Sequence, residues 1–132
     1  MATPQTPHCP RMEGLPDEAL AQVAAYFQAL SDPTRLQILN LLRQRERSVG
    51  ELAQLCGSSS ANVSRHLTLL TQHGLVQRES RGNSAIYSIA DPSVYALCDL
   101  VCGNISRQLD RVAAGRAAFS RPAARSSRTK AA

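Results

Sequence analysis

Two cysteines four residues apart, Cys98 and Cys102, offer the most specific chemistry in the chain. If the segment that begins at Asp91-Pro92 is helical, the i, i+4 spacing puts both thiols on one face with Cβ atoms ~5–6 Å apart, a separation that suits two thiolates on one soft ion. A disulfide wants Cβ atoms ~3.8 Å apart, so a bond inside an intact helix would be strained. A lone cysteine is more often a small buried hydrophobe, and it is the pairing that favours a site here. No histidine follows His73, so that segment offers sulfur without imidazole, a donor set that selects thiophilic species such as As(III), Sb(III), Cd²⁺, Pb²⁺ or Cu⁺. Cys56 falls where helical periodicity wants an apolar residue and is expected in the core. Cys9, within His8-Cys9-Pro10, is a candidate third thiolate.

A second constellation runs from Ser58 to Arg65. At 100° per residue Val63, Leu67 and Leu70 fall within about 60° of arc, leaving Ser58, Ala61, Asn62 and Arg65 on the opposite side. One face packs and the other is free for a groove. A helix start with serine hydroxyls (Ser58, Ser60) and unpaired N–H groups suits phosphate, while Arg65 and Asn62 can make bidentate contacts to guanine and adenine edges respectively. Ser64 and His66 flank that face. Taken alone, the serines could be a cap and Arg65 a solvated charge. Arg78 and Arg81, beside Gly82 and Asn83, suit backbone or minor-groove contacts, although arginines in such places are commonly just solvated.

The elements that must position these groups follow from caps and periodicity. Residues 1–14, with Pro4, Pro7 and Pro10, read as a flexible arm. Pro16-Asp17-Glu18 opens a helix in which Leu20, Val23, Ala24, Phe27 and Leu30 follow at helical spacing; Ser31-Asp32-Pro33 caps a second, with Leu36, Leu39 and Leu42 on one side and Ile38 and Leu41 widening the stripe. Ser48-Val49-Gly50-Glu51 matches a capping box, starting a short helix that Gly57 ends. The Ser58 helix then runs to about His73-Gly74. Residues 75–80 and 84–89 alternate as strands around Arg81-Gly82-Asn83, which predicts a β-hairpin. Asp91-Pro92 begins a long last helix to about residue 115, with Val94, Leu97, Val101, Ile105 and Val112 in one stripe. The expected fold is mainly α with a small β-hairpin. Residues 15–115 form its single domain and residues 116–132 a basic, disordered tail.

ALSDPTRLQILNLL, then ELAQLCGSSSANVSRHLTLLTQHGLVQRES, then RGNSAIYSI, resembles the ArsR/SmtB family of dimeric metal-responsive repressors over roughly residues 15–115. The resemblance implies a winged helix-turn-helix, a homodimer formed through the first and last helices, and double-stranded operator DNA as partner. It also implies that Ser64 and His66 stand where family members touch DNA, and that the hairpin is the wing. The last helix lacks the His and Asp/His pattern of the family's zinc-responsive members, and ELAQLCG lacks the clustered cysteines that its arsenic, cadmium or lead sensors often carry there. Trivalent arsenic or antimony at Cys98 and Cys102, as inducer, is the first choice on this resemblance. A thiol redox or persulfide switch of the same fold, using Cys56 or Cys9 with Cys98 or Cys102, is one alternative, and a Cd²⁺ or Pb²⁺ sensor is the other.

Composition bounds these expectations. At 132 residues the chain holds one domain; 43% apolar residues with only 4% aromatics and no Trp require a core of Leu, Val, Ile and Ala, which leans helical. Of the formal charge of +5, the stretch from Arg107 onward carries seven basic groups against Asp110, whereas the residues before it carry eight basic and nine acidic groups. The globular part is near neutral, so overall basicity is no nucleic-acid footprint. No apolar run approaches the ~18 residues of a membrane span, and the N-terminus has neither a basic n-region nor an apolar h-region, so a cytoplasmic protein is expected. No cysteine adjoins an identifiable base, and no Gly-rich phosphate loop or paired-carboxylate motif occurs, so an enzyme is not expected.

Overall fold

The computed structural model describes residues 11–120. Cys9 and the basic residues from Arg121 onward lie outside them. The chain divides into two compact units, one reaching Asp91 and the other starting at Pro92.

The first unit is built from helices whose ends are set by side chains. Pro16 and the acidic pair Asp17 and Glu18 open α1 (Asp17–Ala29), which keeps Leu20 and Phe27 exposed. The Asp32 carboxylate accepts from the Arg35 backbone N–H at 3.0 Å, and Pro33 occupies the first turn of α2 (Pro33–Gln44). Arg47 closes the other end of α2: its Nε donates to the Leu41 carbonyl at 3.2 Å and its Nη2 to Gln44 Oε1 at 2.8 Å, which permits its burial. The capping box of α3 (Val49–Cys56) is complete, with Glu51 N–H donating to Ser48 Oγ and Ser48 N–H donating to Glu51 Oε1.

The α3 and α4 helices end by one device. Gly57 sits at φ +64° and the Ser58 N–H reaches back to the Ala53 carbonyl; Gly74, at φ +71°, follows α4 (Ser60–Gln72), and the Leu75 N–H reaches back to Leu70. Both positions are in the left-handed region, where a Cβ is penalised. The tight turn between α3 and α4 is thereby fixed, giving a helix-turn-helix.

Residues Ile38, Leu39 and Leu42 of α2, Leu52 of α3 and Val63, Leu67 and Leu70 of α4 are buried together with Leu75 and Val76. Burial of each large side chain contributes roughly 1.5–3 kcal/mol. Leu36, expected inward, is instead exposed, because the buried arc of α2 is centred on Ile38, Leu39 and Leu42.

The hairpin pairs β2 (Val76–Arg81) with β3 (Ser84–Ile89), from Val76 opposite Ile89 to Arg81 opposite Ser84. Arg81 therefore belongs to a strand rather than to the turn. Gly82, at φ +63°, takes the first of two turn positions, as in a type II′ hairpin. The sheet also has a third strand not expected from the sequence: β1 (Arg47–Ser48) pairs antiparallel with β3, placing Arg47 opposite Tyr87 and giving the order β1-β3-β2.

In the second unit α5 (Ser93–Ser120) is one continuous helix. It passes the expected end at residue 115 by five residues, so the tail boundary at 116 is corrected. Ala113, Ala114, Ala117 and Ala118, strong helix formers, surround Gly115 and carry the helix across it. Leu100, Val101, Ile105, Leu109 and Val112 are exposed along α5. Among the described residues no helix is long and apolar enough to cross a membrane.

Candidate nucleic-acid interface and thiol pair

The α4 helix is split cleanly between its two faces. Val63, Leu67 and Leu70 are fully buried, and the opposite face presents Ser60, Ala61, Arg65 and Thr68 to solvent. The N-cap is Ser59, whose Oγ accepts from the Asn62 backbone N–H at 3.1 Å. Sequence reasoning placed Ser58 opposite the packed stripe and offered Ser58 and Ser60 as hydroxyls at the helix start; Ser58 is instead half-buried, Ser60 is exposed, and the cap is Ser59, three residues before Asn62.

The polar groups are linked. Arg65 Nη2 donates to Asn62 Oδ1 at 2.8 Å, and Asn62 Nδ2 donates to Ser58 Oγ at 2.8 Å. The amide holds the guanidinium by one end and is itself held by the other. Arg65 has further donors beyond the one bonded to Asn62, and this link orders its guanidinium within the protein itself. Ser64 is half-buried, and its backbone carbonyl accepts from the Thr68 hydroxyl at 2.9 Å.

His66 departs from expectation. Its side chain is only 15% exposed and turns toward α2, with Nδ1 3.1 Å from Arg35 Nη1 and Nε2 3.8 Å from Asp32 Oδ2. Polar partners at the start of α2 draw it off the face it was expected to flank. The Asp32 carboxyl titrates below its ordinary range, chiefly because the Arg35 backbone N–H bonds it, with His66 and the Arg35 charge adding to the effect.

The two hairpin arginines differ. Arg78 is exposed and its Nη1 donates to Ser80 Oγ at 3.2 Å. Arg81 is held by two carboxylates: both its terminal nitrogens bond Glu46, with Nη2 to Oε1 at 3.1 Å, and Nη2 also reaches Glu79 Oε1 at 3.0 Å. These bonds raise the Arg81 pKa and lower that of Glu46. Arg81 ties the wing to the loop before β1, so a phosphate would have to compete with carboxylates for it. No local pattern links Glu46 to Arg81, and sequence reasoning missed the pair.

On α5 the helix is unbroken between Cys98, half-buried, and Cys102, exposed, so the i, i+4 placement holds. Neither cysteine is in a disulfide, nor is Cys56. Cys56 is half-buried, and burial pushes its thiol pKa up, which makes it a poor thiolate donor. Among the described residues no group of three or more His, Cys, Asp or Glu side chains could hold a metal ion. The thiol pair therefore supplies two donors and no more from within these residues.

A family described as a helix-turn-helix domain matches residues 30–79. The transcriptional regulator Rv0081 of Mycobacterium tuberculosis is 42% identical over 92 residues, 68% of this chain and 81% of that protein. Its crystal structure superposes with a TM-score of 0.68, covering 74% of this chain and 99% of that one. NmtR, a transcriptional regulator of the same organism, is 41% identical over 85 residues, 64% of this chain and 71% of that protein. The solution structure of Mb0332 from Mycobacterium bovis, described as a homodimeric winged helix-turn-helix DNA-binding domain and a possible ArsR-family regulator, has a TM-score of 0.65 and 36% identity, covering 76% of this chain and 95% of that one. On these likenesses the chain belongs to the ArsR/SmtB family of winged helix-turn-helix transcriptional regulators.

Proposed function

We propose that the chain is a homodimeric, metal-responsive repressor that binds double-stranded operator DNA through α4 and releases it when a thiophilic metalloid, As(III) or Sb(III), binds Cys98 and Cys102. The observation that carries the DNA-reading half is the hydrogen-bonded chain that runs from Ser58, just before α4, through half-buried Asn62 to exposed Arg65, on a helix whose other face is fully buried. Ser60 and Ser64 complete the polar face, and Arg78 supplies a wing contact to the backbone, with Arg81 available on exchange of its carboxylates. The exposed apolar residues of α1 and α5 are the surfaces a second copy would cover, in line with the homodimeric form of Mb0332. Such a dimer must set its two reading helices about one DNA turn, ~34–36 Å, apart.

The inducer half rests on the thiol pair. Two sulfurs on one turn of an unbroken helix, with Cys102 exposed, favour a soft ion over a hard one. A relative from Streptomyces lividans, 39% identical over 71 residues, is named a probable mercury resistance operon repressor, which favours the same class of ion. A coupling of ~1–3 kcal/mol between the thiol pair and DNA would weaken operator binding ~5–150-fold.

Titrating the reduced protein with As(III), Sb(III), Cd²⁺, Pb²⁺ and Zn²⁺, while following sulfur-to-metal absorption and DNA release, tests this. Saturable absorption with a soft ion, lost along with induction in Cys98→Ser/Cys102→Ser while DNA binding persists, is the expected result. Normal release of DNA by As(III) and Sb(III) in that variant would overturn the site. Absorption with no ion, together with dithiothreitol-reversible loss of DNA binding, would mark thiol oxidation as the signal instead.

A further inference from the structure

One guanidinium joins three helices of the first unit. Arg35 arrives at His66 already fixed: its Nε donates to the Ala29 carbonyl at 2.6 Å and its Nη2 to the Gln28 carbonyl at 3.1 Å, both at the end of α1. The remaining terminal nitrogen, Nη1, lies 3.1 Å from His66 Nδ1 on α4. A guanidinium can only donate, so this contact needs a bare Nδ1 and, in the neutral ring, a hydrogen on Nε2. Nε2 faces the Asp32 carboxylate, 3.8 Å away.

Resting on the assignment of α4 as the DNA-reading helix, we infer that Asp32, Arg35 and His66 are positioning residues that hold α4 for DNA only while His66 is neutral. A proton on Nδ1 turns the acceptor into a second donor aimed at a cation 3.1 Å away. Asp32 attracts the imidazolium from the other side, but at 3.8 Å it does not replace the lost bond, so the ring must leave Arg35. Among the described residues Asp32 and Arg35 are the charged side chains placed against the ring, both from the start of α2. The last turn of α1 carries no charged side chain; on α4 itself Arg65 is engaged by Asn62; and Glu51 of α3 is bonded to Ser48 and Arg45. His66 adjoins Arg65 in sequence, so movement of the ring disturbs the reading face directly.

The sign of the pH response separates this device from a direct contact. A histidine touching phosphate binds DNA more tightly when protonated, because it gains a positive charge. A clamp that needs neutral His66 binds DNA less tightly. The full chain would be titrated against a labelled duplex recovered by in-vitro selection from random-sequence DNA, at constant ionic strength, across the range in which imidazole titrates. The wild type should lose affinity about tenfold on acidification, the worth of one charge-assisted hydrogen bond. His66→Asn, whose Oδ1 stands where Nδ1 does, should keep the alkaline affinity and lose the response, and His66→Phe should bind weakly throughout. Tighter binding at acid pH, or an equal loss in His66→Asn, overturns the inference. Recovery of no duplex overturns the DNA-reading assignment and the switch with it. Side-chain ¹H–¹⁵N spectra of the free protein judge the clamp separately: a bare Nδ1 with a protonated Nε2 is expected, and the opposite tautomer refutes it.

Discussion

The α4 and α5 helices carry similar apolar stripes and end in opposite conditions. In α4 the stripe is wholly interior and the polar face is ordered by its own hydrogen bonds; in α5 Leu100, Val101, Ile105, Leu109 and Val112 remain at the surface. Periodicity thus identifies a face that will be covered without saying by what. In α4 the cover is the rest of the same unit, whereas exposed apolar area on the scale of α5 marks a surface for another molecule.

The largest expected effect removes the α4 side of this contrast. Leu67→Ala should cost about 2–5 kcal/mol, read as a lower urea midpoint, because Leu67 is fully enclosed. An unchanged midpoint would mean that the buried stripe does not hold α4. Ile105→Glu with Leu109→Glu tests the other side: sedimentation should show the dimer constant weakened at least about tenfold while the helical circular dichroism stays the same. Unaltered association would locate the partner elsewhere. The smallest effect concerns the α2 cap. The Asp32 carboxyl is held below its ordinary range, so its stabilisation is present above the unfolded pKa, ~3.9, and is lost as pH falls through the lower folded value. Asp32→Asn keeps a capping oxygen and should flatten the fall in stability below about pH 4, leaving neutral stability little changed.

Most helix ends were legible because their determinants are local. Asp32-Pro33, the Ser48–Glu51 box, Gly57 and Gly74 all lie within a few residues of the groups they satisfy. The hairpin was legible from alternation and from Gly82, with an error of one residue at each end of the first strand. What escaped was long-range or too short to be periodic. Strand β1 has two residues and no alternation to detect, and the burial of Arg47 depends on acceptors in α2. The Arg81–Glu46 pair and the inward turn of His66 join segments that only the fold brings together. For the candidate site, the helix face could be read from angles, whereas the link from Arg65 through Asn62 to Ser58 required rotamers.

The two-residue strand has a kinetic consequence. Pairing Arg47 with Tyr87 closes a loop that contains α3, α4 and β2, so its chain-entropy cost is offset only after those elements have formed. The helical core should therefore assemble first and the hairpin dock last, with the amides of Arg47 and Ser48 among the first to exchange with solvent. The same brevity leaves almost no open strand edge on that side of the sheet for a misfolded neighbour to extend.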